Sequence, residues 1–417
     1  MFAKEIVNKS LFFLIAIIPL SIIAGPSVSL LNIILFSLII IFLIIHERNF
    51  FFFKNNSLKL IFFLYLYLIF NSFISLDFSE GAFRNLGFVR FIILFIGINY
   101  LFYKNSYSKN IFAIWVIFMT IFLIDVYIER WTGSNIFGWG KIEINGIPQP
   151  NGLRVVSFFK NEPIAGSFLS GFVLMLFGYL LSEKKLNNSF SWIFIFISIV
   201  GILISGERSN TIKIILGFTL MFILLDIFKT KTKLIGLSIF FLVIIIISNQ
   251  SNYLKYRYLS ILNNFKSQEK MTTFLDNSLY FKLYKSGISV FKNNPLFGVG
   301  NKNYRIETCK SKEDQKKYNY ICTTHPHQLY IELLAEHGLI GTMILLSIYF
   351  TLIFKILKNM IISKNYVQLG CFCFIVFTFT PLIPSGSFFT DFNLTLFWIN
   401  FSLMFATSKK TNIFYRY

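Results

Sequence analysis

"VSLLNIILFSLIIIFLII", residues 28–45, contains no charged side chain, and polarity resumes at once in His46, Glu47 and Arg48. A helix rises about 1.5 Å per residue, so a run of this length nearly covers the roughly 30 Å hydrocarbon core of a bilayer. In that medium each backbone N–H and C=O must be paired inside the segment, and a helix does this. Similar runs recur near 8–24, 58–75, 86–103, 111–128, 164–182, 190–205, 211–228, 233–248, 339–357, 366–383 and 391–407. The composition agrees: of 417 residues 55% are hydrophobic, 54 are Phe and only 14% are charged. A soluble domain carries about 25% charged residues. The predicted fold is an all-α integral membrane protein of about twelve transmembrane helices. Residues 11–24 are apolar with no small-residue cleavage site after them, so they read as the first span and not as a cleaved signal.

The formal charge of +20 invites a nucleic-acid reading. In a chain this apolar, the excess belongs instead to cytoplasmic loops, which collect Lys and Arg. One set of connections holds Lys4 and Lys9; Arg48, Lys54 and Lys59; Lys104 and Lys109; Lys184 and Lys185; Lys229, Lys231 and Lys233; Lys355, Lys358 and Lys364; and Lys409, Lys410 and Arg416. These connections alternate along the chain, as they must if they share a side. Both termini are then cytoplasmic, and no nucleic-acid partner is expected. The opposite side receives short turns and two long segments, 129–163 and 249–338. Three regions follow: a nine-span membrane region over 1–248 containing the loop 129–163, a long external loop of short helices over 249–338, and a three-span region over 339–417. A long loop with aromatics and Gly-Pro punctuation is read as functional.

The cysteines divide the same way. Cys371 and Cys373 lie within a span, and Cys309 and Cys322 lie in the long loop. In an oxidising compartment the latter pair can close a disulfide; the alternative is two free or metal-linked thiols.

The unusual polar groups gather on the external side. "GLRVVSFFKNEPIAG" places Arg154, Lys160 and Glu162 before the sixth span, and "SGERSNTI" places Glu207 and Arg208 between the seventh and eighth. "NNPLFGVGNKNYR" carries Gly298, Gly300, Lys302 and Arg305. An Arg in a short external turn runs against the positive-inside trend and needs an anion, although a snorkelling Arg at a helix end is the plain reading. Guanidinium forks match phosphate oxygens, so Arg208, Arg154 and Arg305 form a candidate phosphate-binding set. The Pro-Gly run reads first as a structural turn. In "THPHQLYIELLAEHGLIG", residues 324–341, three of the four histidines gather. Pro326 suits a first helical turn, which predicts a helix from His327 to Gly338 with His327, Tyr330, Ile331 and Leu334 on one face and Glu332 and Glu336 on another. His327 is a candidate general base, with His325 beside it. No carboxylate or thiol stands at ligand spacing from the pair, so no metal is expected.

His327 and Gln328, nine residues, Gly338, two residues and Gly341 reproduce a signature. By these residues the chain resembles the O-antigen ligase and polymerase superfamily, whose pattern is His, then Asn, Ser or Gln, nine residues, Gly, two residues, Gly. Arg208 to Ile212 is similar to the family's Arg-x-x-x-Leu, with Ile for Leu, and the resemblance is strongest over about 150–342. Where relatives carry an Arg or Trp ahead of the Asn-Pro turn, this chain has Lys282 and Lys285 in "LYFKLYKSG". The resemblance implies a GT-C-like glycosyltransferase in the bacterial inner membrane, working at the periplasmic face without metal or cofactor. Its donor would be a glycan on undecaprenyl pyrophosphate and its acceptor the lipid A core, for a ligase, or another lipid-linked glycan, for a polymerase. His327 would be the base, and Arg208 with Arg154 and Arg305 would hold the pyrophosphate. His325, Glu162 and Glu207 would orient groups, Gln328, Gly338 and Gly341 complete the motif, and His337 in the spacer is structural. The His-Gln-x9-Gly-x-x-Gly pattern leans toward ligase. A protein O-oligosaccharyltransferase is a further alternative. A polysaccharide transporter is the rival class, but transporters place ionisable groups near the bilayer midplane, and the spans here hold few.

Overall fold

The computed structural model describes residues 2–48, 50–104, 108–140, 143–144, 147–148, 154–183, 188–259 and 267–415. Lys184, Lys185 and Arg416 lie outside these residues. The helices are α1 (Phe2–Ala16), α2 (Ile18–Ala24), α3 (Pro26–Glu47), α4 (Asn56–Phe73), α5 (Phe78–Gly87), α6 (Val89–Lys104), α7 (Ser108–Thr132), α8 (Ala165–Ser182), α9 (Asn188–Ile204), α10 (Arg208–Leu224) and α11 (Thr230–Gln250). Short helices follow, α12 (Asn252–Leu254), α13 (Gln268–Asn277), α14 (Leu279–Asn293), α15 (Tyr304–Thr308) and α16 (Lys312–Tyr318), and then α17 (Leu329–Ser363), α18 (Tyr366–Thr378) and α19 (Asp391–Ala406). Strands Glu143–Ile144 and Ile147–Pro148 pair in one small antiparallel hairpin.

A helix occupies each of the twelve apolar stretches, and this is a multi-pass membrane protein. Among the described residues seven helices are long and apolar enough to cross a bilayer, or eight when the α1–α2 pair, bent by 51°, is taken as one span. The remaining apolar helices are shorter. α18 stops at Thr378 although the apolar run continues to 383, because Pro381 and Pro384 cannot donate to a helix. The span expected over 86–103 is preceded by the amphipathic α5, whose start is capped by Asp77 accepting from the N–H groups of Ser79 and Glu80.

α8 is the most buried of the seven long helices and α11 the least. Lipid offers no hydrophobic drive between helices, so close packing and polar contacts hold them. α8 and α18 meet backbone to backbone at glycines: a Cβ on Gly178 would lie 2.0 Å from the Tyr366 carbonyl oxygen, and one on Gly370 would lie 2.2 Å from that of Leu174. Asn400 on α19 donates to the Gly171 carbonyl of α8 (2.7 Å), and Gln368 on α18 donates to the Met404 carbonyl of α19 (2.7 Å). Loops grouped by their lysines also meet in space, through Lys109–Glu183 (2.7 Å), Lys104–Glu47 (3.6 Å) and Lys364–Asp226 (2.6 Å).

α17 is two helices joined at a break. Gly338 has φ 63° and ψ −170°, and the Asn-Pro turn fills the gap it opens. The N–H groups of Leu339 and Ile340 donate to the carbonyls of Pro295 (2.8 Å) and Leu296 (3.0 Å). Those of Val299 and Gly300 donate to the carbonyls of Ala335 (3.0 Å) and Glu336 (2.9 Å). Backbone groups that a helix end leaves unpaired are thus satisfied from the turn. A Cβ on Gly298 would lie 2.5 Å from the Glu336 carbonyl carbon, and one on Gly341 only 1.7 Å from the Tyr67 hydroxyl. Gly298 therefore serves a backbone approach to α17, whereas Gly341 makes room for the Tyr67 side chain. Nearby, Cys309 and Cys322 are joined by a disulfide.

Candidate active site

Arg208 opens α10, and its Nε donates to the carbonyl of Arg257 (2.5 Å). The Nε of Arg257 donates in turn to the Gly206 carbonyl (2.9 Å). The two side chains thereby lock the turn before α10 to the segment after α12. Arg154 completes the cluster. Burial lowers the pKa of Arg257, and the charges of Arg208 and then Arg154 lower it further. No further hydrogen bond or ion pair is seen to the terminal nitrogens of these three guanidiniums among the described residues. Three like charges at a half-buried surface call for an anion, and forked N–H groups suit phosphate oxygens.

Glu207 stands beside Arg208 in sequence but turns away from it. Its carboxylate accepts from the N–H groups of Gly166 (2.5 Å) and Ser167 (3.2 Å) in the first turn of α8, and from the Asn210 side chain (2.7 Å). A carboxylate at a helix N-terminus is well placed against the helix dipole. Burial nevertheless pushes its pKa up to about 7, against the pull of Asn210, Gly166 and Arg154.

The histidine turn differs from the expected helix start. α17 begins at Leu329, and Gln328 is its N-cap, its side chain accepting from the Ile331 N–H (2.8 Å). His327 lies before the cap at φ 58°, so it shares no helical face with Tyr330, Ile331 and Leu334. Pro326 stands further upstream, outside the first turn. The reason is local: a polar side chain one residue later satisfies the helix N-terminus, and His327 is released to a left-handed conformation. The His325 and His327 rings lie 3.9 Å apart between centroids, and Tyr280 of α14 packs edge-on to His327 at 6.0 Å. The His327 carbonyl accepts from the Ser385 N–H (2.9 Å) in the α18–α19 turn. Burial lowers the His327 pKa below its ordinary 6.5, as does the charge of Arg154, while the Ser385 backbone opposes the shift. His325 falls to about 3 through burial and then the neighbouring His327 and Lys302. Both rings are neutral at physiological pH. His337 is buried in the helix packing, with its Nδ1 3.2 Å from the Tyr67 hydroxyl.

Behind the pair, Lys302 donates to the Ser387 hydroxyl, and Ser387 donates to the buried Glu332 carboxylate (2.5 Å). Glu332 also accepts from the Phe388 N–H (3.1 Å). Glu336 is fully buried as well. Of the eight non-glycine residues with positive φ among the described residues, Arg48, Asn319 and Lys364 close helices, whereas Ser157, Lys160, Lys302, His327 and Leu382 all lie in the loops around this site. Strained backbone gathers at functional sites.

The geometry thus gathers Arg154, Arg208, Glu207, His325 and His327. Arg305 is exposed on α15, with no bond to the other arginines among the described residues, and Glu162 is exposed after the Ser157 turn. Arg257 was not singled out in the sequence. Its signal was "YLKYRYL", residues 253–259, where an Arg among tyrosines breaks the positive-inside trend just as Arg208 does. Among the described residues no group of three or more His, Cys, Asp or Glu is arranged to hold a metal. Residues 193–346 match a family model described as O-antigen ligase. A comparison with curated proteins gave no match.

Proposed function

We propose that the chain, whose residues 193–346 match a family model described as O-antigen ligase, is a membrane glycosyltransferase of the ligase or polymerase type that transfers a glycan from undecaprenyl pyrophosphate to an acceptor sugar hydroxyl, with ligation to lipid A core as the favoured outcome. The observation that carries this reading is the convergence of three arginines with open forks beside a neutral imidazole. In the reaction, His327 takes the proton of the acceptor hydroxyl as its oxygen attacks the anomeric carbon. The bond from that carbon to the pyrophosphate oxygen breaks, and undecaprenyl pyrophosphate leaves with both electrons of the bond. Arg154, Arg208 and Arg257 meet the charge that develops on the leaving group. These guanidiniums supply that stabilisation without a metal. His325 orients His327, and Glu207 sets the start of α8. Twelve crossings of the inner membrane, a GT-C-like arrangement and a periplasmic site complete the proposal. The polymerase alternative draws on the same groups, because both reactions use the same donor. Deletion followed by glycolipid gel analysis separates them: loss of all polymer from lipid A with polymer retained on the carrier means ligase, a core bearing one repeat means polymerase, and an unchanged profile overturns both.

A further inference from the structure

Two buried carboxylates lie outside the chemistry described so far. Asp125 and Glu129 are 1% and 4% exposed and stand one turn apart on the last turns of α7. Both oxygens of Glu129 are committed to one short piece of backbone, accepting from the N–H groups of Val156 (2.9 Å) and Ser157 (2.5 Å). Asp125 accepts from the Ser157 hydroxyl (2.6 Å) and from the Ile136 N–H (3.0 Å). Asn135 donates to the Ser157 carbonyl (2.8 Å), and the Val155 N–H donates to the Ser205 carbonyl (3.0 Å), in the turn that leads to Arg208. Ser157 is fully buried and held at φ 50°, a left-handed conformation that a serine adopts only under constraint. Gly140 presses on the other side of the clamp, where an added Cβ would lie 2.2 Å from Glu129 Oε1. Apolar packing would hold a loop at lower desolvation cost, so buried carboxylates here serve to fix backbone position.

What that backbone carries is Arg154, two residues before Val156. The next residue on α7 braces the other side of the cluster: the Arg130 guanidinium lies over the Tyr253 ring, 3.2 Å from its centroid, and Tyr253 is one helical turn before Arg257.

We propose that Asp125 and Glu129 are positioning residues that fix the 154–157 backbone so that Arg154 meets the donor pyrophosphate beside Arg257 and His327. The inference rests on the donor-binding role assigned above. It makes the end of α7 a frame on which two arginine-bearing loops are hung.

The test is a double-mutant cycle on the purified full-length protein, with an undecaprenyl-pyrophosphate-linked glycan as donor. Glu129→Gln keeps the shape of the side chain but presents one acceptor oxygen where two are used. It is expected to raise the donor KM by about 10- to 100-fold with a smaller change in kcat, since a displaced binding group weakens the encounter it served. Arg154→Ala should do at least as much, and the double variant should be no worse than Arg154→Ala alone. If Glu129→Gln leaves the donor KM unchanged, or adds its full effect on top of Arg154→Ala, the positioning role is wrong. A thermal melt in detergent checks each variant for folding. Should Glu129→Gln fail to fold, Gly140→Ala takes its place in the cycle, because its methyl displaces the same carboxylate. If Arg154→Ala has no effect on donor KM the inference fails, while loss of transfer in His327→Ala and Arg208→Lys would leave the proposed reaction standing.

Discussion

His327 has two properties that a general base needs: a ring kept neutral by burial and a conformation that keeps it off the helix that follows. The folded pKa lies below 6.5, so the acid limb of kcat/KM should fall below pH 6.5, with activity lost as the ring protonates. His327→Ala should reduce transfer by roughly 10²- to 10⁴-fold at normal expression, measured by carrier-linked glycan consumed. Normal transfer would reject the role. His325 has a separate effect on stability. Its folded pKa of about 3 lies below the ordinary 6.5, so an unfolded chain takes up the proton first as the medium is acidified. The contribution of the neutral ring is whole above about pH 6.5 and is lost progressively as pH falls from 6.5 toward 3. Melting temperature should decline over that window, and His325→Gln should flatten the decline. For the arginines the prediction concerns geometry more than charge. Arg208 uses Nε to grip the Arg257 carbonyl, and an ammonium cannot hold that carbonyl and fork onto a phosphate at once. Arg208→Lys should therefore lose most donor binding at near-normal stability, read as donor KM, and wild-type KM would refute the fork.

The element that organises the site is α17, and its break is load shared with the 295–300 turn. Gly298 is at φ 70° with the Glu336 and His337 backbone where a Cβ would go. Gly298→Ala meets both obstacles, and the left-handed conformation alone costs about 1–3 kcal/mol. The variant should melt markedly lower and lose transfer through displacement of the histidine turn. A wild-type melting curve would show that the turn and the break are not coupled. This element also shows what can be read from sequence. The apolar runs were legible because lipid accepts few alternatives to a helix. The Gly338 break was legible from a glycine ending an amphipathic stretch. The helix start was misplaced by two residues, since Pro326 suggested a first turn while Gln328 supplied the cap. Arg257 and Lys302 escaped a role because theirs depends on contacts across long separations: Arg257 with Gly206, and Lys302 with Ser387. The arginine and histidine motifs could be recognised singly, but their convergence depends on how α7, α8 and the α18–α19 turn bring distant loops together.

At the scale of the molecule, charge and packing make one joint prediction about sidedness. Lysine-bearing ends pair with acidic partners at Lys109–Glu183 and Lys364–Asp226, while the arginines and histidines converge elsewhere. If those two ends face opposite compartments, α11 must cross the membrane even though it is the least buried of the long helices. Its exposed Leu234, Ile235, Ile239 and Leu242 then face lipid. The native protein is a clean background for cysteine labelling, because Cys371 and Cys373 are buried and Cys309 is bonded to Cys322. Single cysteines at Lys231, at the start of α11, and at Lys316, on α16 beyond its end, place one probe on each side. A membrane-impermeant maleimide should label Lys316→Cys in intact spheroplasts and Lys231→Cys only after permeabilisation. Labelling of both from outside would mean that α11 lies along the membrane, and the alternation of charge that supports twelve crossings would fail at that helix. Labelling of only Lys231→Cys from outside would invert the whole orientation and put the arginine–histidine site in the cytoplasm, where a periplasmic acceptor cannot reach it.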